Sequence, residues 1–293
     1  MNTIFHQPVL LAESVDYLNV TKGRRYIDAT LGGGGHTWEI LKRGGLVLGL
    51  DVDEAAITYC QERFGQEENL VVKQGNFAKI ADIAGSAGFD QVEGILFDLG
   101  LSSHQLGAAE RGFSFAKDGP LDMRADLSLG VKAADLVGVL SKKELYELFQ
   151  NYGQDPNSWR VANYIVSQRR IEQIISTRQL AGIIETATGK TRRKIHPATR
   201  IFQALRIAVN DEIGNLKLGL SGAMAVLKKD GKLVVVSYHS LEDRVVKDFF
   251  KSQKNLRIVN EKPILPTREE IEINPRSRSA KMRVAEKIMM NDE

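Results

Sequence analysis

Short apolar runs alternate with amphipathic stretches between residues 24 and 98. The apolar runs are Tyr26-Ile27, Leu46–Leu50, Leu70–Val72 and Gly94–Phe97, and three of them are followed at once by Asp28, Asp51 and Asp98. Runs without polar alternation are typical of strands buried on both faces of a parallel sheet. The intervening residues 36–43, 54–63 and 77–84 have helical spacing and suit the crossovers of β-α-β units. The pattern predicts a doubly wound α/β sheet.

The strand pattern stops after Gly107 for about a hundred residues. Capping signals and apolar periodicity predict four helices, which begin at the capping box Ser141–Glu144, at Asp155-Pro156, at Thr177 and at Pro197, the last running to Gly231. A buried strand, Lys232–Ser237, follows, and two weaker segments, Leu256–Val259 and Met282–Ala285, are expected to pair as antiparallel edge strands. The sheet domain is therefore expected at residues 1–105 and 206–293, with an all-helical insert at 106–205.

Composition narrows the class of protein. The 293 residues are 43% hydrophobic and 26% charged, which is typical of a folded globular chain and excludes wholesale disorder. The single cysteine, Cys60, excludes a disulfide framework or a Cys-based zinc site and suits a reducing cytoplasm. No apolar run approaches the ~20 residues of a membrane span, and the amino terminus lacks the basic region of a signal peptide. We expect a cytoplasmic protein without metal or membrane partner.

Four glycines, Gly32–Gly35, follow the first strand and precede a helix beginning near His36. Glycines let the backbone approach a ligand closely, and a helix amino terminus presents free N–H groups. Asp51 ends the second strand 19 residues after Gly32, where a carboxylate can accept hydrogen bonds from the hydroxyls of an adenosine ribose. The alternative is a tight turn followed by an N-capping Asp.

The charge around this loop discriminates between nucleoside cofactors. The dinucleotide pattern G-x-G-x-x-G fails in both registers, because Thr37 or Trp38 occupies the third glycine position. Asp28, just before the loop, would repel a pyrophosphate but would attract the ammonium group of an amino acid. S-adenosylmethionine has a ribose, an ammonium and a sulfonium but no phosphate. The carboxylates therefore favour S-adenosylmethionine over NAD or FAD.

Six motifs occur in order along the chain, and they resemble the RsmH (MraW) family of bacterial 16S rRNA cytosine-N4 methyltransferases. They are Phe97–Ser103, Glu110–Phe115, Gly119–Arg124, His196–Ala204, Ser237–Arg244 and Asn274–Ser279. The resemblance implies a class I (Rossmann-like) S-adenosylmethionine-dependent methyltransferase sheet with an inserted helical domain for RNA recognition. It also implies methyl transfer to the exocyclic N4 amine of a cytosine in the decoding centre, near the P site.

The same resemblance implies which residues contact the cofactor: Gly34, Gly35, His36, Asp51, Phe77, Asp98 and Gln105. The strand and loop pattern leads independently to the glycines, to Asp51 and to the Asp98 loop. Without the resemblance, Phe77 would be interpreted as a core residue that opens a helix. Gln105 would be interpreted as a polar loop residue. The chain departs from the family pattern at Gly33, where an Arg is common, and at His104, which replaces a Pro and loosens the loop carrying Gln105.

The catalytic group is left unassigned, with Asp98 as the one candidate. Asp98 either binds the cofactor, the interpretation we favour, or orients the target amine. The target base must leave its stack to enter such a site. Phe113, Phe115 and Tyr238 are candidates for stacking on it, although core packing explains each of them as well.

Positive charge is concentrated in residues 160–206, which contain ten Lys and Arg against two Glu, a net charge of +8 within a chain of +3. This segregation predicts a phosphate-binding surface, with Arg192, Arg193, Lys194 and Arg200 as candidate contacts. The expected partner is 16S rRNA or the small ribosomal subunit, and a homodimer is left open. The alternatives are a DNA or small-molecule N-methyltransferase, and a ribosome assembly factor with a cofactor pocket but little turnover.

Overall fold

A computed structural model describes residues 7–189 and 196–289. Arg192, Arg193 and Lys194 lie outside these residues. The chain divides into two compact units: Ser103–Glu212 forms a helical unit, and the residues on both sides of it form a sheet unit. These bounds are wider than the expected insert of 106–205, because one helix begins at Ser103 and another continues to Asn210.

The strands of the described residues form one seven-stranded sheet in the order β3-β2-β1-β4-β5-β7-β6. Their bounds are β1 Arg25–Asp28, β2 Leu46–Asp51, β3 Leu70–Gln74, β4 Val92–Asp98, β5 Leu227–Ser237, β6 Leu256–Ile258 and β7 Lys281–Lys287. Strands β1 to β5 pair in parallel, whereas β7 is antiparallel to both β5 and β6. This topology confirms the class I (Rossmann-like) α/β fold and the antiparallel pairing of the last two strands. Of these two, only β6 is an edge strand, because β7 lies between β5 and β6.

The helices surround this sheet or form the helical unit. They are α1 Leu11–Leu18, α2 Gly35–Lys42, α3 Glu54–Phe64, α4 Ile80–Ser86, α5 Ser103–Gly107, α6 Ala133–Val139, α7 Lys142–Leu148, α8 Ser158–Gln168, α9 Thr177–Thr188, α10 Ala198–Asn210, α11 Glu212–Val226, α12 Ser240–Ser252 and α13 Arg268–Ile273. Within the described residues, none combines the length and apolar character needed to cross a bilayer.

The central strands bury side chains on both faces. Ile27 and Phe97 pack into one core layer together with Leu220 of α11, while Tyr26 and Leu96 pack into the opposite layer. Because successive side chains of a strand point to opposite faces, a strand covered on both sides has no polar positions to alternate with. The unbroken apolar runs of the sequence have this cause.

The expectation of one helical run from Pro197 to Gly231 is wrong. Asp211 adopts a left-handed conformation with φ of 44°, which ends α10, and α11 then stops at Val226. Leu227 pairs with Val92 of β4, and the Lys228 ammonium donates to Glu93 Oε1 at 2.8 Å. Sheet pairing thus outweighs the helical spacing of the apolar positions, so β5 begins five residues earlier than the sequence suggested.

Local signals in the helical unit are mostly confirmed. The Ser141 amide donates to Glu144 Oε2 at 2.7 Å and the Glu144 amide donates to Ser141 Oγ at 3.3 Å, which completes the predicted capping box of α7. The helix predicted to open at Asp155 begins at Ser158 instead, because Asp155 Oδ1 accepts the Asn157 amide in a preceding turn at 2.7 Å.

Two of the family-like motifs fold onto each other within this unit. A Cβ atom on Gly112 would lie 2.1 Å from the Pro120 carbonyl oxygen, and one on Gly119 would lie 2.0 Å from that of Ala109. Both positions admit only glycine, because backbone occupies the space of a side chain. The motifs Glu110–Phe115 and Gly119–Arg124 therefore have a structural role inside the helical unit.

Candidate active site

The glycine loop joins β1 to α2 at the carboxyl edge of the sheet. Gly34 is left-handed, with φ of 69°, and a Cβ atom there would lie 2.5 Å from the Phe64 ring. A Cβ atom on Gly35 would lie 2.7 Å from Pro8 Cγ. The first N–H groups of a helix have no partner within it, so this tight loop presents the amide donors of the α2 amino terminus at the edge where ligands bind in such sheets.

Asp51, at the end of β2, supports this loop. Its Oδ2 accepts the Gly32 amide at 2.8 Å and its Oδ1 accepts the Asp53 amide at 2.9 Å. Burial raises the pKa of Asp51 to about 6, and the nearby charges of Asp53 and Asp28 act in the same direction. Each carboxylate oxygen has lone pairs beyond the one used by a backbone amide, so Asp51 can accept further hydrogen bonds from a pair of ligand hydroxyls.

Asp28, at the end of β1, is only 1% exposed. It accepts hydrogen bonds from Thr37 Oγ1 at 2.7 Å and from the Thr30 amide at 3.3 Å. Burial raises its pKa, while His36 opposes that shift. Asp28 therefore fastens the glycine loop to α2, and it does not present a carboxylate to a ligand ammonium as its position in the sequence suggested.

Asp98, at the end of β4, is held by groups from three other elements. Its Oδ1 accepts the Tyr238 hydroxyl at 2.7 Å, its Oδ2 lies 3.7 Å from His36 Nδ1, and its amide donates to Thr30 Oγ1 at 2.6 Å. The other imidazole nitrogen, Nε2, lies 3.2 Å from the Val9 carbonyl oxygen. These contacts fix one carboxylate at the junction of β1, β4, β5 and α2.

Tyr238 was a candidate for stacking on the target base, with core packing as the alternative, and its hydroxyl donates to Asp98 Oδ1. Burial raises the pKa of Tyr238 well above its usual value, and the Asp98 charge adds to the effect, so the hydroxyl acts as a donor. The ring fits because Gly100 has no side chain: a Cβ atom there would lie 2.9 Å from Tyr238 Cδ2. The signal in the sequence was that Asp98 ends one buried strand and Tyr238 directly follows another, and the two strands are parallel neighbours in the sheet.

The site combines the glycine loop with two carboxylates, Asp51 for ligand hydroxyls and Asp98 held at the end of β4. These groups suit a nucleoside ligand that carries no phosphate. A sequence model of the MraW methylase family matches residues 3–288. The chain belongs to the MraW methylase family. Membership agrees with the site geometry and confirms S-adenosylmethionine as the predicted cofactor.

Relatives at high identity cover nearly the whole chain. Ribosomal RNA small subunit methyltransferase H of Thermomicrobium roseum is 46% identical over 307 residues, covering 97% of this chain and 94% of that protein. The protein of the same name from Carboxydothermus hydrogenoformans is 44% identical, covering 97% and 98% respectively. A solved rRNA methylase from Streptococcus thermophilus covers 97% of this chain and 98% of its own at 12% identity, with a TM-score of 0.42. That last likeness is too distant to support an argument about function.

The two cofactor residues that rested on the MraW family resemblance alone lie in different units. Phe77 opens a 3₁₀ turn after β3, and its ring contacts Phe97 edge to face at 5.5 Å between centroids. It is half-buried and packs against the core of the sheet unit. Gln105 is buried in α5 of the helical unit. Their cofactor contacts stay predictions.

Two aromatic candidates for base stacking belong to the helical unit. Phe113 is buried. Phe115 stacks on His196 at 4.5 Å between centroids and meets Phe202 edge to face at 5.0 Å. The burial of Phe113 and the ring partners of Phe115 favour the core interpretation for both.

Several of the clustered basic side chains hold the helical unit together. Arg169 Nη1 donates to the carbonyl oxygens of Val137 and Leu140, both at 2.7 Å, near the end of α6. Arg206 Nε lies 2.7 Å from Glu212 Oε1. Arg200 donates from Nη1 to the Gln154 carbonyl oxygen at 2.8 Å but stays exposed. Its contact with RNA stays a prediction. The net charge of residues 160–206 therefore overstates how much charge is available to a ligand.

Proposed function

We propose that this protein transfers the methyl group of S-adenosylmethionine to the exocyclic N4 amine of a cytosine in the decoding centre of bacterial 16S rRNA. The observation that carries the proposal is the pair of carboxylates at the sheet edge, Asp51 and Asp98, on a chain of the MraW methylase family. The names of its relatives, which match nearly all of this chain, support a small-subunit rRNA substrate, and the cytoplasm is the location we propose for the reaction.

The cofactor residues we propose divide by their chemistry. Gly34 lets the backbone approach the cofactor closely, Gly35 and His36 supply amide donors at the start of α2, and Asp51 accepts the ribose hydroxyls. Asp98 lies deeper at the edge, where its carboxylate is oriented by Tyr238 and His36. Phe77 and Gln105 complete the set implied by the family.

The bound cofactor supplies an electrophilic methyl group on a sulfonium, which an amine attacks in line. The N4 amine of cytosine is a weak nucleophile because its lone pair is delocalised into the ring, so the protein must position it for attack. A group must also accept the proton that the amine loses. Asp98 is a carboxylate held at this edge by Tyr238 and His36, and we favour a role in holding the cofactor over one in accepting this proton. The proton acceptor itself is not assigned.

One experiment separates the proposal from its alternatives. The protein is incubated with radiolabelled S-adenosylmethionine and, in parallel, with small ribosomal subunits, naked rRNA, duplex DNA and no acceptor. We expect label in the ribosomal samples, and mass spectrometry of the digested rRNA should place it as N4-methylcytidine in the decoding centre. In rRNA from cells that lack the gene, the methyl group should be absent from the same position.

Other outcomes favour other functions. Label in DNA alone would overturn the rRNA substrate. Tight rRNA binding and cofactor binding without transfer would favour a ribosome assembly factor. Methylation of a ring carbon in place of N4 would retain the enzyme class but contradict the proposed acceptor atom. Metal independence stays a prediction, and a homodimer stays open.

A further inference from the structure

The motif Asn274–Ser279 takes no part in the site described so far, yet it forms a hydrogen-bonded turn. It follows α13 and folds as a 3₁₀ turn, Pro275–Ser279, just before β7. The buried Ser277 donates from Oγ and from its amide to the Asn274 carbonyl oxygen, at 2.8 and 3.0 Å. Arg276 and Arg278 flank this buried serine and are both exposed.

Both guanidinium groups are unengaged. Among residues 7–189 and 196–289, neither Arg276 nor Arg278 forms a side-chain hydrogen bond or an ion pair. Arg169 and Arg206 of the helical unit differ, since their guanidinium groups bind carbonyl or carboxylate oxygens of the fold. The charge of the turn is thus available to an external anion.

Sheet register places this turn at the ligand-binding edge. Lys281, the first residue of β7, pairs with Ser237, the last residue of β5. The turn therefore lies at the carboxyl end of β5, from which Tyr238 reaches Asp98. A second link comes from α13, where Glu270 Oε1 accepts the Leu10 amide at 2.7 Å, next to the Val9 carbonyl that contacts His36.

We propose that Arg276 and Arg278 bind RNA phosphates adjacent to the target nucleotide. This inference rests on the proposed function, because it takes RNA as the substrate. Guanidinium groups form charge-assisted, bidentate hydrogen bonds with phosphate oxygens, and phosphate contacts set the register of a nucleic acid without reading its bases. Two such groups on a hydrogen-bonded turn at the sheet edge fix the backbone on either side of a base that enters the site.

The test compares two double variants of the full chain. Arg276→Ala/Arg278→Ala removes the proposed contacts. Lys251→Ala/Lys254→Ala removes the same charge from exposed positions beyond the opposite end of the sheet, since Leu256 pairs with Lys287 at the far end of β7. Affinity for rRNA is measured over a range of salt concentrations, S-adenosylmethionine affinity is measured separately, and kcat and KM are taken with small subunits.

For the arginine variant we expect the Kd for rRNA to rise about tenfold or more. The salt slope should fall by roughly 1.4 to 1.8, since each phosphate contact contributes about 0.7 to 0.9. KM for the ribosomal substrate should rise while kcat and cofactor affinity stay unchanged. Arg276→Lys/Arg278→Lys should retain the salt slope but recover only part of the affinity, because lysine lacks the planar fork.

Three results would overturn the inference. One is an arginine variant that binds rRNA with unchanged affinity and salt slope. Another is an equal loss in the lysine variant, which would indicate a nonspecific charge effect. A third is weaker cofactor binding, which would assign the arginines to the cofactor carboxylate. Failure of the proposed function would instead appear as a wild-type chain that transfers no methyl group to rRNA, an outcome that leaves the binding comparison intact.

Discussion

Three aspartates end neighbouring strands of this sheet, and their surroundings give them different roles. Asp28 is enclosed by the glycine loop and α2, Asp51 spans two backbone amides, and Asp98 receives a tyrosine hydroxyl. All three follow apolar runs in the same way, so sequence position alone does not distinguish a structural carboxylate from one that meets a ligand. Burial and hydrogen-bond partners make that distinction.

We expect cofactor affinity to depend on the ionisation of Asp51. Its pKa is raised to about 6 by burial, and the carboxylate must be ionised to accept both ribose hydroxyls. Affinity for S-adenosylmethionine should therefore increase as pH rises from 5 to 7 and level off above. At pH 5 it should be weaker by about tenfold, because only about a tenth of the carboxylate is ionised one unit below its pKa. Calorimetric titration at several pH values measures this.

The Asp51→Asn variant should bind the cofactor weakly, and its affinity should no longer rise between pH 5 and 7. Glu54→Gln removes an exposed carboxylate from the first turn of the neighbouring α3 and should leave the pH profile unchanged. A pH step that persists in Asp51→Asn would assign it to another group.

Asp98→Ala should abolish methyl transfer. The substitution removes the carboxylate that Tyr238 and His36 orient at the end of β4, and it leaves a buried tyrosine hydroxyl without its acceptor. Transfer to small subunits is measured beside Asp90→Ala, which removes an exposed aspartate ahead of the same strand. If Asp98→Ala turned over at a near-normal rate, Asp98 would not belong to the site.

At the scale of elements, the loop between β1 and α2 shows why glycine is required rather than merely tolerated. Gly34 combines a left-handed backbone with a neighbouring ring in the space of its missing side chain. The four glycines were visible in the sequence, but the identity of the contact was not, because Phe64 lies at the end of α3, thirty residues further along the chain.

Gly34→Ala should destabilise the sheet unit by about 2 kcal/mol or more. The left-handed conformation alone costs about 1 to 2 kcal/mol for a residue with a Cβ atom, and the ring at 2.5 Å must also move. Gly85→Ala is the matched control, since a Cβ atom in that α4 position meets nothing within 4 Å and alanine favours a helix by roughly 0.5 kcal/mol. Chemical denaturation of both variants gives the difference, and equal stabilities would contradict the packing argument.

At the scale of the whole molecule, the near-neutral net charge conceals a segregation of charge along the chain. Residues 160–206 carry +8, so the remainder carries −5. The structure reduces the number of basic side chains available to a ligand, since Arg169 and Arg206 bind oxygen atoms within the helical unit.

Replacement of Arg192, Arg193 and Lys194 together by Ala should weaken rRNA binding and reduce its salt slope by roughly 2, at about 0.7 per phosphate contact. Lys247→Ala/Lys251→Ala/Lys254→Ala removes three exposed charges from the sheet unit and should change the slope far less. Titrations at several salt concentrations measure both variants. An unchanged slope in the first variant would place these residues off the RNA interface.

The sequence by itself determined the α/β class, the aspartates at the carboxyl ends of β1, β2 and β4, the glycine loop and the capping box of α7. Each of these follows from local physics: apolar runs buried on both faces, backbone that only glycine adopts, and side chains that bond amides a few residues away. Such signals are complete within a short window of sequence.

Tertiary structure alone decided which of these groups meet. Tyr238 binds Asp98 across 140 positions of the chain, and Arg276 and Arg278 reach the ligand-binding edge because β7 returns antiparallel to β5. The start of β5 at Leu227 was equally hidden, since pairing with β4 overrode a helical period. Contacts of this kind depend on strand order and register, which are set by burial of the whole sheet rather than by any one segment.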